Sequence, residues 1–421
     1  MHLTDPVADP VPDTVLSHFS EFVPYLEPLD WRQRAAVAVS GGGDSMALLA
    51  SLLEARRRQA VSLRLQVLTV DHKLRPESAG ETAVVARFCA QHDADHTILT
   101  WTGDKPSSRI AERARVIRRD LLLAECRKQG IPQLLLAHTM DDVAETLLMR
   151  VRRGGLRGHA SIAPETRISR IRVLRPFLPL RRNALRKALV KGGIDWVEDP
   201  SNSNLRYERP RVRRNLQALE GRGFGTDRIA AYASLMGRWR AVMARHIAAA
   251  IAAGCRQDGP ELHLQSQSLR GIPRLIAVET LRELIRFSGG DAYMIDFAQA
   301  AAAVEKILDA TGDAKTFSAG RCVLSCAEDG VWTLSRALRD LPAIPIAAGQ
   351  TLCWDGRFVI ELPETAAGPG EIRPHGSLPV MHPADLPHAI RFRPRVLDGP
   401  IASFDAPVFA ALSALLPSNS R

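Results

Sequence analysis

The sequence predicts an α/β fold: a doubly wound parallel sheet, followed by a helical region and then a small β-rich C-terminal region. Three observations predict it. Short Val- and Leu-rich runs alternate with longer helical stretches through the first half of the chain. A glycine-rich turn, Ser40-Gly41-Gly42-Gly43-Asp44-Ser45, joins the first such run to the first such helix. Ser40, Asp71, Trp101 and His138 all fall at or just after the ends of successive runs. In open α/β sheets that is where ligands bind.

Residues 1–33 read as a loose lead-in with a short amphipathic helix near Val15–Tyr25. Ala35–Val39 is short and β-branched, as a buried parallel strand is, and Met46–Ala55 carries strong helix formers. Leu65–Val70 is a second strand, ending at Asp71-His72, and Glu81–Gln91 a helix. Thr97–Trp101 is a third strand and Ile110–Lys128 a charged helix. Gln133–Ala137 is a fourth strand, ending at His138, with a helix from Asp141 to about Arg152. Ile171–Phe177 adds a strand and Arg182–Val190 a helix. Asp195–Arg214 breaks the alternation: it is rich in turn formers, then basic through Arg206, Arg209, Arg211, Arg213 and Arg214, and reads as a long functional loop. Thr226 to about Thr311 is helical and Ala-rich, short β-like runs follow Phe317, and a hairpin is expected around Leu352–Leu362. The organisation expected is a lead-in over 1–33, a catalytic domain over 34–219, a mainly helical domain over 220–340 and a β-rich region over 341–421.

At 421 residues the chain is too long for one ordinary domain, and 46% hydrophobic with 24% charged residues is globular composition. No signal-like start and no apolar run long enough to span a bilayer is present, which points to the cytoplasm and to no membrane partner. The six cysteines are scattered; Cys322 and Cys326 are four apart, but in an alternating strand-like run where buried thiols are ordinary. The net charge of +10 suits a polyanionic partner. It is concentrated: Arg150 to Arg222 holds 19 Lys and Arg against 6 Asp and Glu. Arg dominates there, and planar guanidinium groups suit bidentate phosphate contacts.

The glycine turn places backbone N–H groups and a helix N-terminus before a common ligand, a geometry that favours phosphate. It is neither a Walker A loop, since no Lys follows, nor a dinucleotide fingerprint, since the third glycine is missing. The pattern is S-G-G-x-D-S, with hydroxyls at both ends and a carboxylate inside. Asp44 suits a helix cap as well as a metal, His138 a structural histidine as well as a proton acceptor, and Asp142 and Glu145 a helix first turn as well as a substrate site.

Four further stretches stand with the loop: Val70-Asp71-His72-Lys73-Leu74-Arg75-Pro76-Glu77-Ser78; Ala114-Arg115-Val116-Ile117-Arg118; Leu136 to Thr146, with His138, Asp142 and Glu145; and Trp196-Val197-Glu198-Asp199-Pro200-Ser201-Asn202, followed by Tyr207, Arg209 and Arg213. Together the five resemble the tRNA(Ile)-lysidine synthetase family, within the ATP pyrophosphatases of the N-type, over about Ala35 to Leu219. The resemblance implies ATP and Mg²⁺ as cofactors, and L-lysine and a CAU-anticodon isoleucine tRNA as partners. It implies adenylation of the C2 oxygen of the wobble cytidine, then displacement of AMP by the lysine side-chain amine, giving lysidine. By the same resemblance Ser40, Gly41, Gly42, Gly43, Asp44 and Ser45 would cradle the phosphates, with Asp71, Arg115 and His138 completing the nucleotide site and Asp44 holding the metal. Asp142 and Glu145 would recognise lysine, with one carboxylate or His138 taking its proton, and Arg209 and Arg213, with Asp199 and Asn202, would form an ordered loop near the reacting phosphate.

The sequence departs from the family pattern at Arg119, Val143, Arg153-Gly154-Gly155 and Pro210, which puts details of tRNA contact in question. A tRNA cytidine thiolase of the same loop superfamily would need reactive cysteines, yet Cys89 and Cys126 fall within helices. A catalytically silent RNA-binding protein would not need the intact loop with Asp44 and the His138–Glu145 set. The oligomeric state is left open, a homodimer being one option.

Overall fold

The computed structural model describes residues 14–59, 64–73, 78–103, 110–151, 159–198, 205–291, 294–309, 315–326, 330–384, 388–394, 397 and 400–416. The chain divides into two compact units, Met1–Arg238 and Trp239–Arg421. The division falls inside one long helix, Thr226–Gly254, rather than at a linker. No helix among the described residues is long and apolar enough to cross a membrane.

In the first unit the strands are β1 (Ala35–Ala38), β2 (Leu65–Asp71), β3 (Asp95–Thr100), β4 (Gln133–Leu135), β5 (Glu165–Ile168) and β6 (Ile171–Leu174). Their order is β5-β6-β4-β1-β2-β3. β1 pairs in parallel with both β2 and β4, β2 with β3, and β4 with β6, whereas β5 runs antiparallel to β6. The chain therefore winds one way from β1 to β3 and the other way from β4 onward. The crevice opens where that order reverses, beyond the carboxyl ends of β1 and β4. β5 was not anticipated, because its run Glu165-Thr166-Arg167-Ile168 lacks the apolar character of a buried strand.

The helices are α1 (Gly43–Gln59), α2 (Ser78–Gln91), α3 (Ile110–Lys128), α4 (Met140–Val151), α5 (Arg182–Lys191) and α6 (Glu208–Glu220), with α7 (Thr226–Gly254) leading out of the unit. β1 shows why both sheet faces are covered. Ala35, Val37 and Val39 join one core with Leu48, Leu49, Leu52 and Phe177, while Ala36 and Ala38 join a second with Leu68, Leu122, Leu123 and Leu134. Alternate side chains of a strand point to opposite faces, so an all-apolar strand needs a core on each side. The first half of α1 is apolar all round and buried, each of its leucines contributing roughly 2 kcal/mol.

Two readings of the sequence are corrected. The lead-in is not loose where it is described: the helix expected near Val15–Tyr25 is present as a turn of α-helix at Thr14–Ser17 and a 3-10 helix at Ser20–Leu26, with Pro24 inside, and Phe19, Phe22 and Leu26 are buried in the α1 core. The basic end of Asp195–Arg214 is not loop but helix, because α6 starts at Glu208 and carries Arg209, Arg211, Arg213 and Arg214. Pro210 lies in the first turn, where a backbone N–H has no intrahelical acceptor, so the proline costs the helix nothing.

In the second unit a sheet of order β7-β8-β11-β10-β9 is built from β7 (Cys255–Asp258), β8 (Glu261–Gln265), β9 (Lys315–Ala319), β10 (Cys322–Cys326) and β11 (Val331–Arg336). It packs on α8 (Arg274–Gly289) and α9 (Phe297–Leu308) around Trp332, Phe287 and Leu281. The helical middle of the chain thus carries a sheet of its own. Two three-stranded sheets follow, and the hairpin expected around Leu352–Leu362 is β12 (Thr351–Trp354) with β13 (Phe358–Glu361), Trp354 opposite Phe358.

Candidate active site

The loop after β1 is shaped by its own hydroxyls. Ser45 Oγ donates to the Gly42 carbonyl at 2.8 Å and accepts the Ser40 N–H at 3.2 Å, and the Ser40 and Ser45 hydroxyls lie 3.4 Å apart. Gly41 has φ +80°, a left-handed value that a residue with a Cβ resists, so this glycine is fixed by the backbone. α1 starts two residues later, at Gly43, which aims the helix N-terminus into the crevice. From the far side Val197 N–H donates to the Gly41 carbonyl at 2.8 Å, so the Trp196-Val197 stretch is pinned to the loop. The residues that follow it, Asp199 and Asn202 among them, lie outside the described residues, as do Arg75, Glu77 and Arg153-Gly154-Gly155.

Beyond β4, Thr139 caps α4. Its N–H and hydroxyl both donate to Asp142 Oδ2, at 2.9 and 3.0 Å, which fixes the carboxylate within the first turn of the helix. Glu145 lies one turn further on, 1% exposed.

These two carboxylates and Asp44 meet on one side chain that the sequence reading missed. Arg182, at the start of α5, donates from Nε to Asp44 Oδ2 at 2.8 Å, from Nη1 to Glu145 Oε1 at 3.2 Å and from Nη2 to Asp142 Oδ1 at 3.1 Å. Its own backbone N–H donates to Asp141 Oδ2 at 2.7 Å. β6 pairs in parallel with β4, so the chain leaving β6 passes the same crevice, but Arg182 stands well beyond the strand end that such a rule marks. α6 adds two more cations. Arg213 Nε lies 2.6 Å from Glu145 Oε1, Arg209 Nε 2.9 Å from Glu145 Oε2, and Arg209 Nη2 3.5 Å from Asp142 Oδ1. Arg209 and Arg213 are one turn apart and face inward together, while Arg211 and Arg214 on the same helix are exposed.

The electrostatics follow from this packing. Burial pushes the Asp44 carboxyl up, against the pull of Arg182 and with the repulsion of Asp142. Burial acts on Asp142 too, but Arg182, Arg209, His138 and the Thr139 N–H together hold it below the usual carboxylate range. His138 is lowered to about 4, by burial first and then by Arg175, Arg209 and Arg118 against the attraction of Asp142, so its imidazole is neutral near pH 7. Four buried atoms in this cluster have no hydrogen-bond partner among the described residues: Asp44 Oδ1, His138 Nδ1, and Glu145 Oε2 with Arg209 Nε, which face each other as an ion pair at 2.9 Å. Asp44 Oδ1 accepts when the carboxyl is ionised, and a neutral imidazole offers one of its two ring nitrogens as an acceptor.

The remaining expected site residues sit nearby to different degrees. Arg115, on α3, is close enough for Arg209 and Asp142 to act on it: burial and then Arg209 lower its pKa, and Asp142 raises it. Asp71, at the end of β2, turns its Oδ1 to the Lys73 N–H at 2.9 Å and makes no ion pair with the cluster among the described residues. The departures from the family pattern are accounted for locally. Arg119 pairs with exposed Asp120, and Val143 packs with Leu147 and Ala233 rather than toward the crevice. Cys89 and Cys126 are buried, their thiols pushed up to about 12, which suits packing and not sulfur chemistry.

A Gly-rich turn at the switch point of a parallel sheet, walled by arginines and carboxylates, is built to take a polyphosphate. It defines an ATP-binding α/β protein of the phosphate-loop class, and residues 16–220 match the PP-loop domain family. The chain is 36% identical over 347 residues to the tRNA(Ile)-lysidine synthase of Ruegeria pomeroyi, covering 82% of this chain and 80% of that one. It is 37% identical over 349 residues to the enzyme of the same name from Mesorhizobium japonicum, covering 79% and 74%. The chain belongs to the tRNA(Ile)-lysidine synthase family.

Proposed function

We propose that this protein joins L-lysine to C2 of the wobble cytidine of a CAU-anticodon isoleucine tRNA through an adenylated cytidine, releasing pyrophosphate and then AMP. The observation that carries this reading is the meeting of the phosphate loop with Asp142, Glu145 and the α6 arginines in one crevice. In the first step the C2 oxygen attacks the α-phosphorus of ATP and pyrophosphate leaves. The Ser40–Ser45 loop and the α1 N-terminus hold the phosphates, and Arg115 and Arg209 oppose the charge that develops on them.

The partnerless Asp44 Oδ1 fits a cation. Mg²⁺ bound there would neutralise the leaving pyrophosphate and would draw its other ligands from phosphate and water. In the second step the lysine amine attacks C2, the C2–O bond breaks, and AMP leaves with the oxygen. Asp142 and Glu145 orient the ammonium, and the proton it sheds has two acceptors within the cluster, the Asp142 carboxylate and the neutral His138 imidazole. The outward arginines Arg211 and Arg214, with exposed Tyr207, give α6 a cationic face for RNA backbone and bases.

The test uses purified protein, ATP, Mg²⁺, labelled lysine and the CAU-anticodon isoleucine tRNA. Label enters that tRNA at one cytidine, with one AMP released per lysine. ATP consumption without label in the tRNA overturns the lysine assignment, and an absence of tRNA-dependent ATP turnover overturns the enzymatic reading.

A further inference from the structure

Arg182 is the only side chain among the described residues that touches Asp44, Asp142 and Glu145 together. Each of its three guanidinium nitrogens meets a different carboxylate, one from the phosphate loop and two from α4. The group is held from behind. Its backbone N–H is tied to Asp141, and the helix it opens is anchored by Leu185, Ala188 and Leu189 in the main core. Only 17% of its side chain is exposed, so the fork has little freedom to swing.

From this juxtaposition we propose that Arg182 is a positioning residue that couples the two halves of the site, aiming Asp44 for the nucleotide step and spacing Asp142 and Glu145 for the amine step. The proposal rests on the reaction given under Proposed function. By engaging Asp44 Oδ2, the guanidinium leaves Oδ1 as the free oxygen. By lying between Asp142 and Glu145, it sets the gap into which a substrate ammonium would fit. It also keeps three carboxylates from presenting bare negative charge to a triphosphate. A lysine cannot replace it, because a single ammonium has no rigid fork to reach three acceptors on two elements. A fixed fork also transmits: when Asp44 loses its charge, the guanidinium charge is balanced by Asp142 and Glu145 alone, and it competes with the incoming ammonium for them.

The test compares the full-length wild-type protein with Arg182→Lys and Arg182→Gln. Arg182→Lys is expected to keep the wild-type melting temperature within a few degrees. Lysine-independent pyrophosphate release on tRNA should fall ~10–100-fold, the range for groups that orient a metal's ligand, with the lysine KM rising by a similar factor. A readout free of catalysis is lysine binding by calorimetry. Asp44→Asn should raise the lysine Kd several-fold when Arg182 is present and leave it unchanged in the Arg182→Lys background. Loss confined to one half-reaction, or a lysine Kd indifferent to Asp44→Asn, overturns the coupling. If both Arg182 variants fail to fold, the Asp44→Asn arm in the wild-type background still decides. Failure of wild-type protein to put lysine into tRNA would instead overturn the reading on which the proposal rests.

Discussion

Arginines crowd onto carboxylates in one cluster of each unit, and the two clusters differ in what they leave open. In the first unit Arg182, Arg209 and Arg213 face Asp44, Asp142 and Glu145, balanced in charge. Asp44 Oδ1 stands outside these ion pairs as an acceptor without a partner among the described residues, and the arginines are 17–31% exposed. In the second unit Arg321, Arg336 and Arg357 share one carboxylate, that of Asp355, and Arg336, Arg357 and Asp355 are 0–1% exposed. The atom left over there is a donor, Arg357 Nη1, on a guanidinium lying against the rings of Trp354 and Phe358. The chemistry of the groups is alike. What separates a site from a structural knot is access, and an unused acceptor where strand ends converge.

The largest effect expected from this contrast is at Asp44. Asp44→Ala should cut tRNA-dependent pyrophosphate release by ~10³-fold or more, since it removes both the proposed metal oxygen and a partner of the fork. Its melting temperature should hardly move, because a carboxyl that burial already disfavours is being removed. Release above a tenth of the wild-type rate would show that Asp44 is a helix-start acid and no more. Asp355→Ala should do the reverse. It strands three guanidinium groups, two of them sealed from water, and should cost about 3–5 kcal/mol of stability in urea titrations, with ATP binding by the first unit retained. A variant as stable as wild type would mean that the knot is held by its ring contacts and by the bonds from Arg336 to the Ala337 carbonyl and from Arg357 to the Ser377 carbonyl.

The two clusters were unequally legible in the sequence. Ser40–Ser45 could be read because turn chemistry is local: the glycines, the flanking strand and the helix formers lie within a dozen residues. Asp142 and Glu145 could be read because helical spacing puts them on one face. Arg182 could not be read from pattern alone. Its meaning lies in carboxylates from two distant segments, and it stands among many other arginines between Arg150 and Arg222. Asp355 was invisible for the same reason, its partners coming from three separate positions along the chain. A parallel sheet followed from the alternation of runs and a helix in the lead-in from its amphipathic pattern, but the order of the strands and β5 did not, β5 being short and stabilised by what it packs on. α6 was masked by Pro210, a helix breaker everywhere except in a first turn.

A smaller effect separates the inward from the outward face of α6. Arg213→Ala should raise the tRNA KM by ~10-fold while ATP affinity changes less than twofold, because Arg213 pairs with Glu145 and not with the loop. Equal losses for tRNA and ATP, measured by titration, would place Arg213 in the nucleotide site.

The smallest effect is a pH dependence of stability at His138. Its folded pKa is about 4, against an ordinary value of 6.5, so the folded protein holds the imidazole neutral where the unfolded chain already binds a proton. Stability rises with pH wherever the unfolded state carries more protons. The contribution of this histidine is therefore complete above about pH 6.5 and lost progressively as pH falls toward about 4. His138→Gln removes the titration, so its urea midpoint should decline less than that of wild type across that window, and the two curves should run parallel above it. Parallel curves throughout would mean that His138 titrates normally in the folded protein. It would then not be the neutral acceptor that the amine step can use, and the proton would go to Asp142.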